Sequence, residues 1–316
     1  MGGQAMSKVQ TRSAPGLALA LALFLGMPTL SAGQETQSGT RVVILGTGNP
    51  NSDPDRWGPA VAVVVGGQAY LVDAGPGVVR RAAAAARLHG LPLAESDLKR
   101  VFITHLHSDH TLGLPDLIFS PWVLGRPGPL EVYGPPGVER MTHHLVEAWR
   151  EDIGMRLFGL EPQPYVDGYR VVAHEHREGL VYEDENVRVE AIRVEHGSWP
   201  YSFGYRFETA DRTIVISGDA RPSPALIEAC NGCDVLVHEA YSSARFPSRP
   251  PEWQTYHASF HTSTDELADI AGAARPGLLV MYHQLFWGDS DDDLVDQVRA
   301  AGYTGRVVSA SDLAVY

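Results

Sequence analysis

The sequence of 316 residues predicts an α/β fold, on three observations. Short runs rich in β-branched residues, such as Arg41–Leu45, Ala60–Val65 and Val235–Val237, are interleaved with helical stretches along the whole chain. The polar residues best suited to chemistry each follow such a run, where layered α/β folds carry their functional loops. No short repeat is visible, and the length suits one large domain or two small ones.

Taken in order, residues 1–32 read as a secretory signal. Lys8 and Arg12 supply the positive start, Leu17–Leu25 is an apolar run too short to span a bilayer comfortably, and Ser31-Ala32 offers small residues for cleavage. The expectation is a domain over residues 33–316 that is periplasmic or secreted and free of the membrane after cleavage. Arg41–Leu45 opens that domain as a strand ending in Gly46-Thr47-Gly48, and Ala60–Val65 and Gln68–Val72 flank Gly66-Gly67 as a hairpin. Val78–Leu88 is alanine-rich and stops before Gly90, as a helix does. Leu130–Tyr133 is a strand, and Pro135-Pro136 opens a helix whose His143 and His144 read as surface residues. In the acid-rich stretch 151–185, His174 and His176 imitate a metal pair but read as part of a solvated hairpin. Asn186–Val194 alternates as a half-buried strand and delivers His196; Thr213–Ile216 runs into Asp219, and Leu278–Met281 into His283. Ser263 and Glu266 form a capping box for the helix that follows them. The two cysteines, Cys230 and Cys233, read as a short structural bridge or two buried thiols.

Thr104–His110, THLHSDH, is the chemical centre of the chain. It follows the short apolar strand Arg100–Ile103, and alternation along an extended backbone turns His105 and His107 one way while Leu106 packs behind them. A lone histidine is more often a satisfied core residue. Three imidazoles and a carboxylate packed this closely are instead the donors that zinc and similar ions take.

HLHSDH resembles the HxHxDH signature of the metallo-β-lactamase superfamily. LGTG, VDAGPG and then this string follow the opening order of its ribonuclease Z and arylsulfatase-like branch. The resemblance implies a four-layered αβ/βα sandwich, a single domain, with metals at one edge of two sheets. It assigns His105, His107 and His196 to one ion, Asp109, His110 and His283 to a second, and Asp219 to both. The implied cofactor is two zinc ions per chain, manganese or iron being alternatives, about 3.5–4 Å apart and sharing a hydroxide nucleophile. Asp109 would also direct that nucleophile, and Asp73 would orient a ligand histidine from behind. HTST resembles a ribonuclease Z loop whose histidine faces the scissile group, which gives His261 the role of acid or oxyanion partner, and Glu239 the role of holding it. Trp57, Trp199 and Trp287 stand beside these motifs as an aromatic wall or as ordinary loop packing.

The formal charge of −13 argues against general nucleic-acid binding, and residues 151–185 offer no basic arm. The leading expectation is therefore an exported hydrolase of a small sulfate or phosphate ester, with nucleic acid disfavoured as a partner and a homodimer left open. Against it stand a ribonuclease Z-type tRNA endonuclease, a lactone or β-lactam hydrolase, and a secreted zinc-binding protein without turnover.

Overall fold

Apolar side chains alternating along short strands build two sheets that share one buried layer. The computed structural model describes residues 39–163 and 165–316, so the signal expected over residues 1–32 lies outside the described residues. The first sheet runs in the order β1 (Arg41–Gly46), β2 (Ala60–Val65), β3 (Gln68–Val72), β4 (Arg100–Phe102), β5 (Leu130–Gly134) and β6 (Val171–Glu175). Its first three strands are antiparallel, and β3 to β6 are parallel. The second sheet runs from β7 (Gly179–Glu183) through β8 (Val187–Val194), β9 (Ser202–Thr209), β10 (Thr213–Ile216), β11 (Val235–Tyr241) and β12 (Leu278–Leu285) to β13 (Val307–Ser309). It is antiparallel from β7 to β10 and parallel beyond.

β2 shows how the layers arise. Val61 and Val63 face the second sheet, while Ala60, Ala62 and Val64 face the helices outside, so a strand buried on both faces reads as unbroken apolar sequence. The outer core of the first sheet lies under α1 (Val78–His89), α3 (Leu114–Val123), α4 (Val138–Ala148) and α5 (Arg150–Phe158). The outer core of the second lies under α6 (Pro224–Cys230), α8 (Thr264–Ala274) and α9 (Asp291–Ala300). Helices, sheet, sheet, helices: the four-layered sandwich is confirmed, within one compact unit spanning Ser38–Tyr316. Each fully buried Val, Leu or Ile in these cores contributes about 1.5–3 kcal/mol.

Several details differ from the sequence reading. Residues 171–183 are not a simple solvated hairpin, because β6 pairs with β5 in one sheet and β7 with β8 in the other. His174 stacks on Tyr133 at 4.3 Å, and His176 bonds the Tyr205 hydroxyl at 3.0 Å, so neither faces the metal motif. The carboxylate of Glu175 accepts the backbone N–H groups of Gly137 and Glu139 at the start of α4. The last residues do not all close one sheet: β13 joins the second, and Tyr316 then exchanges backbone hydrogen bonds with Val42 of β1. Cys230 and Cys233 are bridged. No helix among the described residues is long and apolar enough to cross a membrane.

Candidate metal centre

Every implied donor lies at the end of a strand, in the turn just beyond it, or on the short helix that follows that turn. β4 leads into His105 and His107, and the short helix α2 (Ser108–Thr111) carries Asp109 and His110. His196 lies two residues beyond β8, and Asp219 three beyond β10. Gly218 has φ 62°, and a Cβ there would stand 2.8 Å from Thr104, so glycine lets the Asp219 loop close onto the motif strand. His283 enters through a bulge: Glu239 pairs with Tyr282 and Ala240 with Gln284, which leaves His283 as the extra residue. Its φ of 48° is left-handed, a strain of order 1–3 kcal/mol that tends to persist at functional sites.

These side chains converge. His107 Nδ1 lies 2.9 Å from His105 Nε2 and 3.1 Å from His196 Nε2. Asp109 Oδ2 lies 3.2 Å from His283 Nε2 and 3.5 Å from His110 Nε2. Asp219 Oδ2 stands between the two groups, 3.3 and 3.4 Å from the Nε2 atoms of His110 and His283, and 3.9 and 4.0 Å from those of His105 and His196. All but His107, which is partly exposed, are buried.

The outer edges of three rings, His105, His110 and His196, are held by the protein. His110 donates from Nδ1 to Asp73 at 2.7 Å, His196 donates from Nδ1 to the Phe260 carbonyl at 2.7 Å, and His105 Nδ1 meets the Thr104 hydroxyl at 3.0 Å. Asp73 in turn accepts the backbone N–H and hydroxyl of Thr104. Its own φ of 61° turns the carboxylate back under the motif. Fixing one ring nitrogen as donor leaves the other a bare lone pair aimed inward, the tautomer a metal requires.

The inner edges are incomplete. His110 Nε2 and Asp219 Oδ1 are buried without a hydrogen-bond partner. Burial holds His105 well below the usual imidazole range and pushes His196 down to about 3, so both present uncharged rings. Burial opposes ionisation of Asp219, yet His283 and His110 keep its carboxyl well below the usual range. Imidazoles and buried carboxylates around a common point, with no cysteine, make a divalent-metal donor set. The residues present fit the implied ions.

His261 sits beside this cluster, buried, with one ligand-capable atom within 4.8 Å of those of Asp219 and His283. Its Nδ1 faces Glu239 Oε1 at 3.2 Å, and the same oxygen accepts backbone N–H groups from Thr262 and Ala220. Burial pushes His261 down to about 4 and raises Glu239 well above the usual carboxyl range. A cavity of about 630 Å³ opens over Asp109, Asp219, His261 and His283. Of the two readings left open for the tryptophans, wall and loop packing, each holds for some of them. Trp287 lines the cavity, but Trp57 packs over Gly77 and Trp199 donates its indole N–H to His107 Nε2. Trp253 and Tyr256 complete the wall, from α7 (Pro251–Phe260). Their three-residue spacing after Pro250-Pro251 was the available signal: proline opens a helix, and i, i+3 side chains share its face.

A family model described as a beta-lactamase superfamily domain matches residues 68–284. The chain belongs to that superfamily. Within it, ribonuclease Z of Mycobacterium marinum is 34% identical over 281 residues, covering 86% of this chain and 96% of the relative. Ribonuclease Z of Mycobacterium bovis is 32% identical over 279 residues, with the same shares covered. Among solved structures, the metallo-beta-lactamase fold protein YhfI from Bacillus subtilis superposes with a TM-score of 0.67 at 16% identity, covering 88% of this chain and 98% of its own. The short form of human tRNase Z gives 0.62 at 24%, covering 87% and 98%. The superfamily and its ribonuclease Z branch are thus confirmed, and with them a metal-dependent hydrolase.

The same relatives overturn two expectations, a small sulfate or phosphate ester as substrate and nucleic acid as a disfavoured partner. The charge argument failed for a physical reason. A net charge of −13 sets non-specific attraction across the surface, whereas one strand in a cleft is held by local groups.

Proposed function

We propose that the protein is a ribonuclease Z-type endonuclease that hydrolyses a phosphodiester of RNA, with a 3′-extended precursor tRNA as the first substrate to test. The observation that carries this reading is the chain-long identity of 34% to ribonuclease Z, joined to a donor cluster in which Asp219 touches both groups. We assign His105, His107 and His196 to one zinc ion, Asp109, His110 and His283 to another, and Asp219 to both. Bound there, the two ions would supply the positive charge that polarises a phosphoryl group and lowers the pKa of water.

The chain's own groups then divide the remaining work. Asp109, held between His110 and His283, orients the attacking oxygen. His261 receives its direction from Glu239 through Nδ1, which leaves the other ring nitrogen for the leaving 3′ oxygen. Glu239, whose Oε1 also accepts the Thr262 and Ala220 N–H groups, holds the ring in that orientation. The test is a labelled transcript carrying a 3′ trailer, incubated with the metal-loaded chain. Cleavage at one position next to the trailer is expected, and an intact transcript beside active hydrolysis of other esters would refute the reading.

Export of the same chain rests on the charged, then apolar, pattern of residues 1–32. Under that proposal the mature protein begins near Gly33 and meets its RNA outside the cytoplasm. N-terminal sequencing of cell fractions decides it, and an intact Met1 on the active protein rejects it.

A further inference from the structure

Two arginines line the cavity, and their surroundings differ. Arg56 is spent on the fold: it pairs with Asp291 at 2.6 Å and also reaches Thr47 and Gln284. Arg249 makes no side-chain hydrogen bond or ion pair among the described residues, and its Nε is buried without a partner. It is held only by a face, its guanidinium lying 5.1 Å from the centre of the Trp287 ring. The terminal N–H groups of the guanidinium have no partner among the described residues and are left for a ligand's oxygens.

The platform beneath it is fixed. Trp287 has a left-handed φ of 49°, followed by Gly288 at 104°, so the ring's direction is set by a strained turn four residues beyond His283. The rings also connect the two places. His261 lies 5.9 Å from His283 and 5.7 Å from His257, which lies 4.7 Å from Trp287. The free cation therefore stands a few ring contacts from the metal donors, in one cavity, on a wall that also carries Trp253 and Tyr256.

We propose that Arg249, stacked on Trp287, binds a phosphate flanking the scissile one and so selects a nucleotide strand over a small ester. This rests on the endonuclease reading and adds to it a residue that determines the substrate. A planar guanidinium suits the task because it offers two parallel N–H groups to phosphate oxygens while its face stays on the indole. Asp53 lines the same cavity, so Arg249 also offsets a carboxylate that would repel an incoming strand.

The experiment compares the metal-loaded wild type, Arg249→Ala and Arg249→Lys on two substrates: a 3′-extended RNA and methyl p-nitrophenyl phosphate, which has no flanking phosphate. Loss of a charged hydrogen bond predicts a rise in KM for RNA of about 10- to 100-fold in Arg249→Ala. That loss should exceed any loss on the small diester at least tenfold. The salt slope of RNA binding should fall by about 0.7 to 0.9, the signature of one phosphate contact. Arg249→Lys should keep the salt slope while recovering only part of the KM. Equal losses on both substrates would make Arg249 a structural residue and overturn the proposal, as would an unchanged KM and salt slope on RNA that the wild type cleaves. A wild type that leaves RNA intact while hydrolysing the small diester rejects the endonuclease reading itself, a separate and visible failure.

Discussion

Two carboxylates, each crowded by polar groups, behave differently: Asp184 is partly exposed and Asp219 is buried. Asp184, after β7, accepts the Tyr70 and Tyr182 hydroxyls at 2.7 Å each and the backbone N–H groups of Asn186 and Val187 at 2.9 and 3.0 Å, with Arg100 at 3.7 Å. Its hydrogen-bonding capacity is met by the protein, and the cluster fastens β3 of one sheet to β7 of the other. Asp219 is just as crowded by polar groups, yet its Oδ1 and the facing His110 Nε2 have no partner. A satisfied buried network is structural, whereas one satisfied only on its outer side is built around something that is not protein. The contrast lies in the carboxylates themselves: both oxygens of Asp184 are met by the protein, and one of Asp219 is not.

The comparison can be broken at several points, with effects of decreasing size. Asp219→Ala removes the oxygen common to both donor groups, so metal analysis should show loss at both proposed ions and turnover should vanish. Two metals per chain with normal turnover would refute the assignment. Asp73→Asn comes next. Asparagine tolerates the left-handed backbone, so the fold should survive, while His110 loses the charge that orients it. Metal affinity should fall about 10- to 100-fold, measured by competition with a chelating dye. Asp184→Ala should do the opposite: unchanged metal content, and a loss of about 1–3 kcal/mol in denaturant unfolding from the stranded tyrosine hydroxyls.

The pH dependence of this second site has a definite sign. Burial opposes ionisation of Asp184, but the Tyr70 and Tyr182 hydroxyls and two backbone N–H groups hold its folded carboxyl below the usual value. Its contribution is therefore present above the unfolded carboxylate range near pH 4 and is lost as pH falls through the lowered folded value. Wild type and Asp184→Asn should converge in stability on acidification. A difference that grows as pH falls would contradict this account of the clip.

Much of the fold could be read from the chain because its signals are local. The unbroken apolar run of β2, Gly90 after α1 and the capping box of Ser263 and Glu266 each record their own conformation. The donors could be read for a related reason: His196, Asp219 and His283 each follow a strand-like run, and the chain returns every such run to one edge. What stayed hidden depends on partners that no local pattern encodes. Alternation along β6 and β7 is the same whether they pair with each other or with different sheets. The bulge at His283 appears only against Glu239 and Ala240. No local pattern tells Arg249, stacked on Trp287, from Arg56, paired with Asp291. Net charge misled because it sums over a surface on which the cavity is a small part.

The most direct test is a metal titration of RNA cleavage. The full chain is stripped with a chelator, zinc is added back in measured equivalents, and cutting of a 3′-extended transcript is followed. Cleavage should be absent without metal, rise with added zinc and level off at two equivalents per chain. Cutting that persists in the chelator, or a transcript left whole at saturating metal, would contradict an RNA endonuclease completed by ions at Asp219.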